Sequence, residues 1–457
     1  MRARGGMDRL ASLGLTAEHR ARAEAAFEGL APELAQLGGP AASHDAPMAF
    51  WVPGRIEVLG KHTDYGGGRS LLCAVEPGVC VLAAPRDADA PNGKLVRVRD
   101  AKSGATAEFD IAPDVPGRPG TWANYPITVA RRIASNFGAP MRGADIVFWS
   151  HIPHASGVSS SSALIVAMFL ALGAANDLES RPAYRAAIHS TDDLAGYLGA
   201  VENGLDFGPL LGNAGVGTFG GSEDHTAILS ARPGAIVQYR FRPVTFERAI
   251  PLPGNVTFVV GASGVQAEKT GAALHRYNDV SRRLSTALDC WQRATGRTDA
   301  SMGAALAAAP DARARLLALL GEARGAAYSS ESLVERVVQF DEETNEIIPA
   351  AGDALARGDL ATFGAYVARS QAAAERALHN QIPETTALVR LALDRGAAAA
   401  SAFGAGFGGS VWALVDSSHG DEFCRSWGDA YRAAFPAAAA RAEFFVTRAG
   451  PAAARLR

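Results

Sequence analysis

Cysteine is scarce in this chain of 457 residues. The four present, Cys73, Cys80, Cys290 and Cys424, include no C-x-x-C pair. Such spacing offers neither a zinc ribbon nor a disulfide scaffold, and it fits a reducing compartment such as the cytoplasm. Net charge is also small: 44 Lys and Arg against 47 Asp and Glu leave −3 at pH 7. Nothing in that balance points to nucleic acid or an anionic membrane as a partner. Long apolar runs are missing too. The longest, around Ala163–Ala175, falls short of the roughly 20 residues that a membrane helix needs. The opening Met1-Arg-Ala-Arg-Gly-Gly-Met7 is basic, yet no signal-like apolar core follows it, and Met7 serves as a start as well as Met1. What remains is an ordinary globular balance, 48% hydrophobic and 20% charged, in a length that suits two or three domains.

Hydrophobic patterning mixes strands and helices without strict alternation, which predicts an α+β fold rather than a doubly wound sheet. A helix is expected from Ala17 to about Ala35, with Thr16 as its N-cap. Gly38 to Pro47 reads as a loop. Strands are expected at Ala49–Val52 and Ile56–Leu59, broken by Pro53-Gly54, and at Val79–Ala83, Leu95–Val98 and Asp145–Trp149. Helices are expected at Ile127–Ser135, Leu164–Ala175 and Pro182–Glu202. Beyond a division placed near residue 235, strands are expected at Ile236–Phe241 and Val256–Val260. Long helices follow over Thr270–Arg293, Val334–Leu355 and Asp359–His379, then strands at Ala399–Phe403, Val411–Val415 and Glu443–Val446.

Three glycine-rich stretches carry the chemistry. Pro153-His-Ala-Ser-Gly-Val-Ser-Ser-Ser-Ser-Ala163 sits between a strand and an apolar helix. Small residues let backbone N–H groups approach an anion, and the helix aims its positive end at the same point, so the stretch suits a phosphate. A Ser-rich linker fits less well, because the apolar helix follows at once, while an ordinary helix N-cap with spare serines is an equal alternative for this stretch taken alone. Gly54-Arg-Ile-Glu-Val-Leu-Gly-Lys-His-Thr-Asp-Tyr-Gly-Gly-Gly68 packs Arg55, Lys61, His62, Asp64 and Tyr65 between glycines. A hairpin turn does not need those side chains, whereas Asp and His can grip neighbouring sugar hydroxyls. Phe403-Gly-Ala-Gly-Phe-Gly-Gly-Ser410, between two strands, could by itself be only a tight turn. Other kinase motifs fail on their mechanics. Gly264–Thr270 lacks the second glycine of a Walker loop, and Asp206-Phe-Gly208 has no H-R-D loop beside it.

Taken together, these stretches resemble the GHMP kinase superfamily, and galactokinases within it. Gly54 to Gly67 resembles the galactokinase signature, Pro153 to Ala163 the superfamily's ATP-binding motif, and Gly404 to Gly409 its third motif, in the family's order. The resemblance implies a two-domain fold: a mixed-sheet N-terminal domain over 1–235 and a ferredoxin-like C-terminal domain over 236–457, with the active site between them. It implies transfer of the ATP γ-phosphoryl group to the anomeric hydroxyl of a monosaccharide, with Mg²⁺. In that scheme Asp224 orients the hydroxyl and accepts its proton, and Arg55 holds Asp224. Ser156, Gly157, Ser159, Ser160 and Ser161 cradle the phosphates, and Gly406 steadies that loop. Ser161 and Glu202 contact the metal, although a glycine-rich stretch separates Glu202 from Asp224. Lys61, His62, Asp64 and Tyr277 occupy sugar-contacting positions. The expected partner is a small-molecule sugar, with no nucleic acid and no membrane, and the chain is expected to be a monomer or weak oligomer.

The chain departs from the family at two places. Lys61 stands where typical galactokinases have Glu, a reversal of charge. Either Lys61 points outward or bonds a hydroxyl and the sugar is galactose or a related neutral one, or Lys61 pairs with a uronic acid such as galacturonate. Glu57 stands where Asn is usual. A non-catalytic sugar sensor is a further alternative, disfavoured because Arg55, Asp224 and the serine run are all present.

Overall fold

The computed structural model describes residues 8–38, 46–153, 157–265, 271–322 and 327–457. Most of the loop expected at Gly38 to Pro47, the start at Met1 or Met7, and Ser156 lie outside them.

The described residues build two sheets. The first has eight strands: β1 (Met48–Leu59), β2 (Arg69–Pro85), β3 (Leu95–Asp100), β4 (Thr106–Asp110), β5 (Ala144–Ser150), β6 (Ala235–Arg240), β7 (Thr245–Pro251) and a closing strand Ala454–Arg455. The closing strand pairs with β1, and the order continues β1-β2-β5-β3-β4, with β6 on β2 and β7 on β6. All these pairings are antiparallel except β3 with β5, so the sheet is mixed. The second sheet has four antiparallel strands, β8 (Val256–Ala262), β9 (Ala399–Phe403), β10 (Ser410–Asp416) and β11 (Glu443–Thr447), in the order β11-β8-β10-β9. The α+β organisation expected from patterning is therefore present. The division placed near 235 falls at the start of β6, which hydrogen-bonds back to β2, and the last residues also return to the first sheet.

Several elements are longer or more broken than patterning suggests. β1 runs straight through Pro53-Gly54, absorbing the proline at a register shift against β2, which is where a sheet tolerates one. Every residue of β1 is buried. Its glycine is a packing requirement: a Cβ on Gly54 would lie 2.8 Å from the Val158 carbonyl oxygen. The region expected as one helix over Pro182–Glu202 is two, Pro182–Ala187 and Thr191–Asn203. Ser190 caps the second by accepting from Asp193 N. The helix expected over Val334–Leu355 runs from Ser330 to Asp341, loosens into a π-turn at Glu342–Ile347, and resumes at Ile348–Ala356. Pro349 lacks the N–H that would continue the regular ladder there. The helix expected at Ala17 caps as anticipated, with Thr16 Oγ1 3.4 Å from His19 N.

The helix Ser160–Ala175 packs against β1 and β2 and is buried over most of its circumference. That explains its unbroken apolar run: it is the central helix of the first domain, with its N-terminus left at the seam between the two sheets.

Candidate active site

Arg55 and Glu57 are two residues apart on β1 and share one face of the strand. Both are buried and both line a cavity that reaches from β1 to the helix Glu223–Ser230. Arg55 makes three contacts there. Its Nε donates to Asp224 Oδ1 at 2.7 Å, its Nη1 donates to the Gly157 carbonyl at 2.6 Å, and its guanidinium lies 5.5 Å from the Phe403 ring centre. Burial works against its charge, but Asp224, Glu57 and Glu223 outweigh that and hold its pKa above the ordinary arginine value.

Asp224 is the meeting point of the acids. Ser162 Oγ lies 2.9 Å from Glu202 Oε2 and 3.2 Å from Asp224 Oδ2, and Glu202 also faces His225 Nε2 at 3.1 Å. The glycine-rich stretch 204–221 therefore does not separate Glu202 from Asp224 in space. Ser161, the serine expected near the metal, faces the Tyr125 hydroxyl, whereas its neighbour Ser162 is the one whose hydroxyl contacts both acids. Successive residues on a helix point about 100° apart, so only one of the two can face that point.

The serine run expected to cradle phosphates lies at a helix mouth. Ser159 takes φ 58°, in the left-handed region, and its buried hydroxyl has no hydrogen-bond partner among the described residues. The loop touches β1 through Arg55 N, which donates to Val158 O at 3.3 Å. It touches the third glycine stretch just as closely. A Cβ on Gly404 would lie 2.9 Å from Gly157 O, and one on Gly157 would lie 3.4 Å from Gly409 Cα. Gly406, expected to steady the phosphate loop, instead lies against Asn380, whose carbonyl would be 2.4 Å from a Cβ there. Gly404 and Gly409 are the residues of that stretch that lie against Gly157. Gly157, Ser159 and Ser160 lie at the helix start; Ser156 falls outside the described residues.

At the other end of the cavity, Asp64 Oδ2 accepts from Glu223 N at 3.1 Å and Oδ1 from Tyr65 N at 2.8 Å. His62 Nε2 is 3.2 Å from the Ala405 carbonyl, and its ring centre is 5.7 Å from that of Tyr277. Tyr277 lies within the helix Gly271–Thr295, inside its first turns. Burial raises the pKa of Asp64, Tyr277 and Glu223, the last well above its usual range. Glu57 is pushed up to about 7, chiefly by burial, with Lys61 and Arg55 pulling the other way.

Lys61 does not join them. Its side chain turns away from the cavity and its Nζ donates to Ser401 Oγ at 2.5 Å and Ser370 Oγ at 3.4 Å. Burial lowers its pKa, opposed first by Glu343 and then by Glu57. The sugar-contact role expected for Lys61 is thus not what the geometry supports. Sequence reasoning missed Ser162, Glu223 and His225, and found no role for Glu57. The period-two spacing of Glu57 from Arg55 was the one available signal for it.

The motifs that meet in this cavity also connect the chain to known proteins. The model for the GHMP kinases N terminal domain matches residues 124–205, that for GHMP kinases C terminal matches 353–433, and the galactokinase galactose-binding signature matches 41–85. A galactokinase of Chloroflexus aggregans is 30% identical over 373 residues, covering 81% of this chain and 85% of that protein. A galactokinase of Chloroflexus aurantiacus is 29% identical over 381 residues, covering 83% and 87%. The crystal structure of Lactococcus lactis galactokinase complexed with galactose superposes with a TM-score of 0.75 at 22% identity, covering 94% of this chain and 99% of that one. That likeness extends the two-domain GHMP kinase fold over nearly the whole chain.

Proposed function

This chain belongs to the galactokinase family, and from that premise we propose that it is an ATP-dependent kinase acting on the anomeric hydroxyl of galactose or a related neutral sugar. The observation that carries the reading is the Arg55–Asp224 pair, set at the mouth of the helix Ser160–Ala175.

In this reading the bond between the γ-phosphorus of ATP and its bridging oxygen breaks, and a bond from phosphorus to the sugar O1 forms. The hydroxyl proton passes to Asp224, and ADP leaves. The transition state spreads negative charge over the moving group, so positioning and charge stabilisation matter most. Asp224 orients the hydroxyl. Arg55 holds that carboxylate and, through Gly157 O, also holds the phosphate loop at the same point. The phosphates rest on the backbone of the helix N-terminus. His62, Asp64 and Tyr277 grip the rest of the sugar.

Ser162, Glu202 and Asp224 bring oxygen donors to one place, a hard set that suits Mg²⁺ bound together with nucleotide phosphates. No cluster of three or more His, Cys, Asp or Glu able to hold a metal occurs among the described residues, and the ion's remaining ligands would come from ATP. When bound, Mg²⁺ would offset charge on the phosphates.

Charge supports a neutral sugar. The cavity is lined by Glu57, Asp64, Glu202, Glu223 and Asp224 against the single guanidinium of Arg55, and Arg55 is already committed to Asp224. A uronic carboxylate would find no uncommitted arginine or lysine among those lining residues. The sensor alternative is not favoured, since Arg55 and Asp224 are in contact. Among the described residues no helix is long and apolar enough to cross a membrane. The cytoplasmic location proposed for the enzyme is supported by its four scattered free cysteines. ADP release with Mg-ATP and a panel of galactose, arabinose, other neutral hexoses and uronic acids tests the reading. Turnover confined to uronic acids, or none with any sugar, would refute it.

A further inference from the structure

The loop that carries the sugar-contacting positions is held from behind. Gly60 and His62 both take positive φ, 123° and 57°. For His62 this is the left-handed region, which a non-glycine residue keeps only where its surroundings over-determine it. Those surroundings come from the C-terminal half. Glu343 Oε1 accepts from Gly60 N at 3.0 Å, Gln339 Nε2 donates to Lys61 O at 3.4 Å, and Arg336 Nη2 donates to His62 O at 2.5 Å. Lys61 supplies the side-chain link. Its Nζ reaches Ser401 on β9 and Ser370 in the helix Leu360–Ala377. Ser370 Oγ donates onward to Glu343 Oε1 at 2.8 Å, and Ser401 Oγ to Gln371 Oε1 at 3.0 Å. Lys61 is 2% exposed and the whole network is buried.

We propose that Lys61 is a positioning residue whose ammonium ties the loop 60–65 to the second sheet and its helices, and so fixes the His62 imidazole against the sugar. A carboxylate at position 61 would meet Glu343 across Ser370 with no cation between them, a costly buried pair. The sign of the charge at 61 is therefore set by Glu343 and not by the substrate. The proposal rests on the sugar-kinase reading and deepens it: specificity for a neutral sugar is kept while the family's acid at this position is lost.

The test compares wild type, Lys61→Met, Glu343→Gln and the double variant by steady-state ADP release, with galactose and galacturonate as probes. Small displacements of a positioning group carry large kinetic penalties, so Lys61→Met should raise the galactose KM about tenfold or more, with kcat and the ATP KM held within about threefold. Removing Glu343 as well should recover part of that KM, because no uncompensated carboxylate remains buried. Should Lys61→Met fail to fold, the charge-neutral double variant carries the comparison, and its galactose KM should still exceed that of wild type. An unchanged galactose KM in both, a lowered melting temperature alone, or strictly additive effects would overturn the proposal. So would selective loss of galacturonate turnover in Lys61→Met, which would make Lys61 a ligand. Wild type that releases ADP with no sugar at all would remove the kinase reading itself, and this proposal with it; galactose turnover with an uncoupled Lys61 removes only the proposal.

Discussion

Arg55 Nε lies 2.7 Å from Asp224 Oδ1 across 169 residues of sequence, with Arg55 on a strand of the first sheet and Asp224 in the first turn of a helix. Arg55 also donates to Gly157 O. One guanidinium thus fixes the acid that would take the proton and the loop that would hold the phosphate.

Asp224→Asn keeps the shape of the side chain and removes the charge that accepts the proton. Turnover should fall by about 10²–10⁴-fold, the usual scale for a general base. Nucleotide affinity should stay close to wild type. Single-turnover ADP release together with nucleotide titration checks both, and near-normal turnover would rule out this role for Asp224.

Ser162 and Ser161 can be told apart by their metal dependence. Ser162→Ala removes the hydroxyl between Glu202 and Asp224, and should raise the Mg²⁺ concentration for half-maximal rate by roughly tenfold. Ser161→Ala takes away the Tyr125 contact and should move that concentration little. Mg²⁺ titration of both variants at fixed ATP decides between them; the reverse order would restore Ser161 as the metal serine.

Gly221 leaves no room for a side chain. A Cβ there would lie 2.2 Å from Asp64 Oδ2 and 2.9 Å from Tyr65 N. Gly221→Ala must push Asp64 aside, with a loss of about 1–3 kcal/mol of stability. The sugar KM should rise while the ATP KM holds. Equal changes in both constants would place the strain elsewhere.

Glu57 makes stability depend on pH. Its carboxyl is pushed up to about 7 from an ordinary 4.5, mainly by burial. The native state therefore keeps a proton that the unfolded chain has released between those values. The contribution is full below pH 4.5 and is lost as pH rises through 7, roughly 3 kcal/mol in all. Glu57→Gln lacks this loss, so the stability of wild type relative to the variant should fall between pH 5 and pH 8. Chemical denaturation at both values measures it, and a pH-independent difference would show that Glu57 titrates normally.

Much of the site is legible in the amino-acid sequence alone. The strand–loop–helix order around residues 153–163, the crowding of Arg55, His62, Asp64 and Tyr65 between glycines, and the late stretch 404–409 are local patterns. Their chemistry follows from residue type and spacing, because a phosphate needs bare backbone N–H groups at a helix mouth. The helix beginning at Ala17 and most strands can be read from period and caps for the same local reason. Tertiary structure decided which neighbour faces the site. Ser162, and not Ser161, contacts Glu202 and Asp224 because the packing of the buried helix on β1 and β2 sets its rotation. Gly404 and Gly409 lie against Gly157, while the space beside Gly406 is taken by Asn380. β1 continues through Pro53-Gly54 because it pairs with β2 on both sides of a register shift, and Val158 leaves room there only for glycine. Lys61 turns inward because Ser401, Ser370 and Glu343 wait behind it, far along the chain, as the 283 residues between Gly60 and Glu343 show. No local pattern encodes partners that distant: they meet only when the two sheets close on one another, and that closure gives a charge reversal at position 61 its place inside the protein.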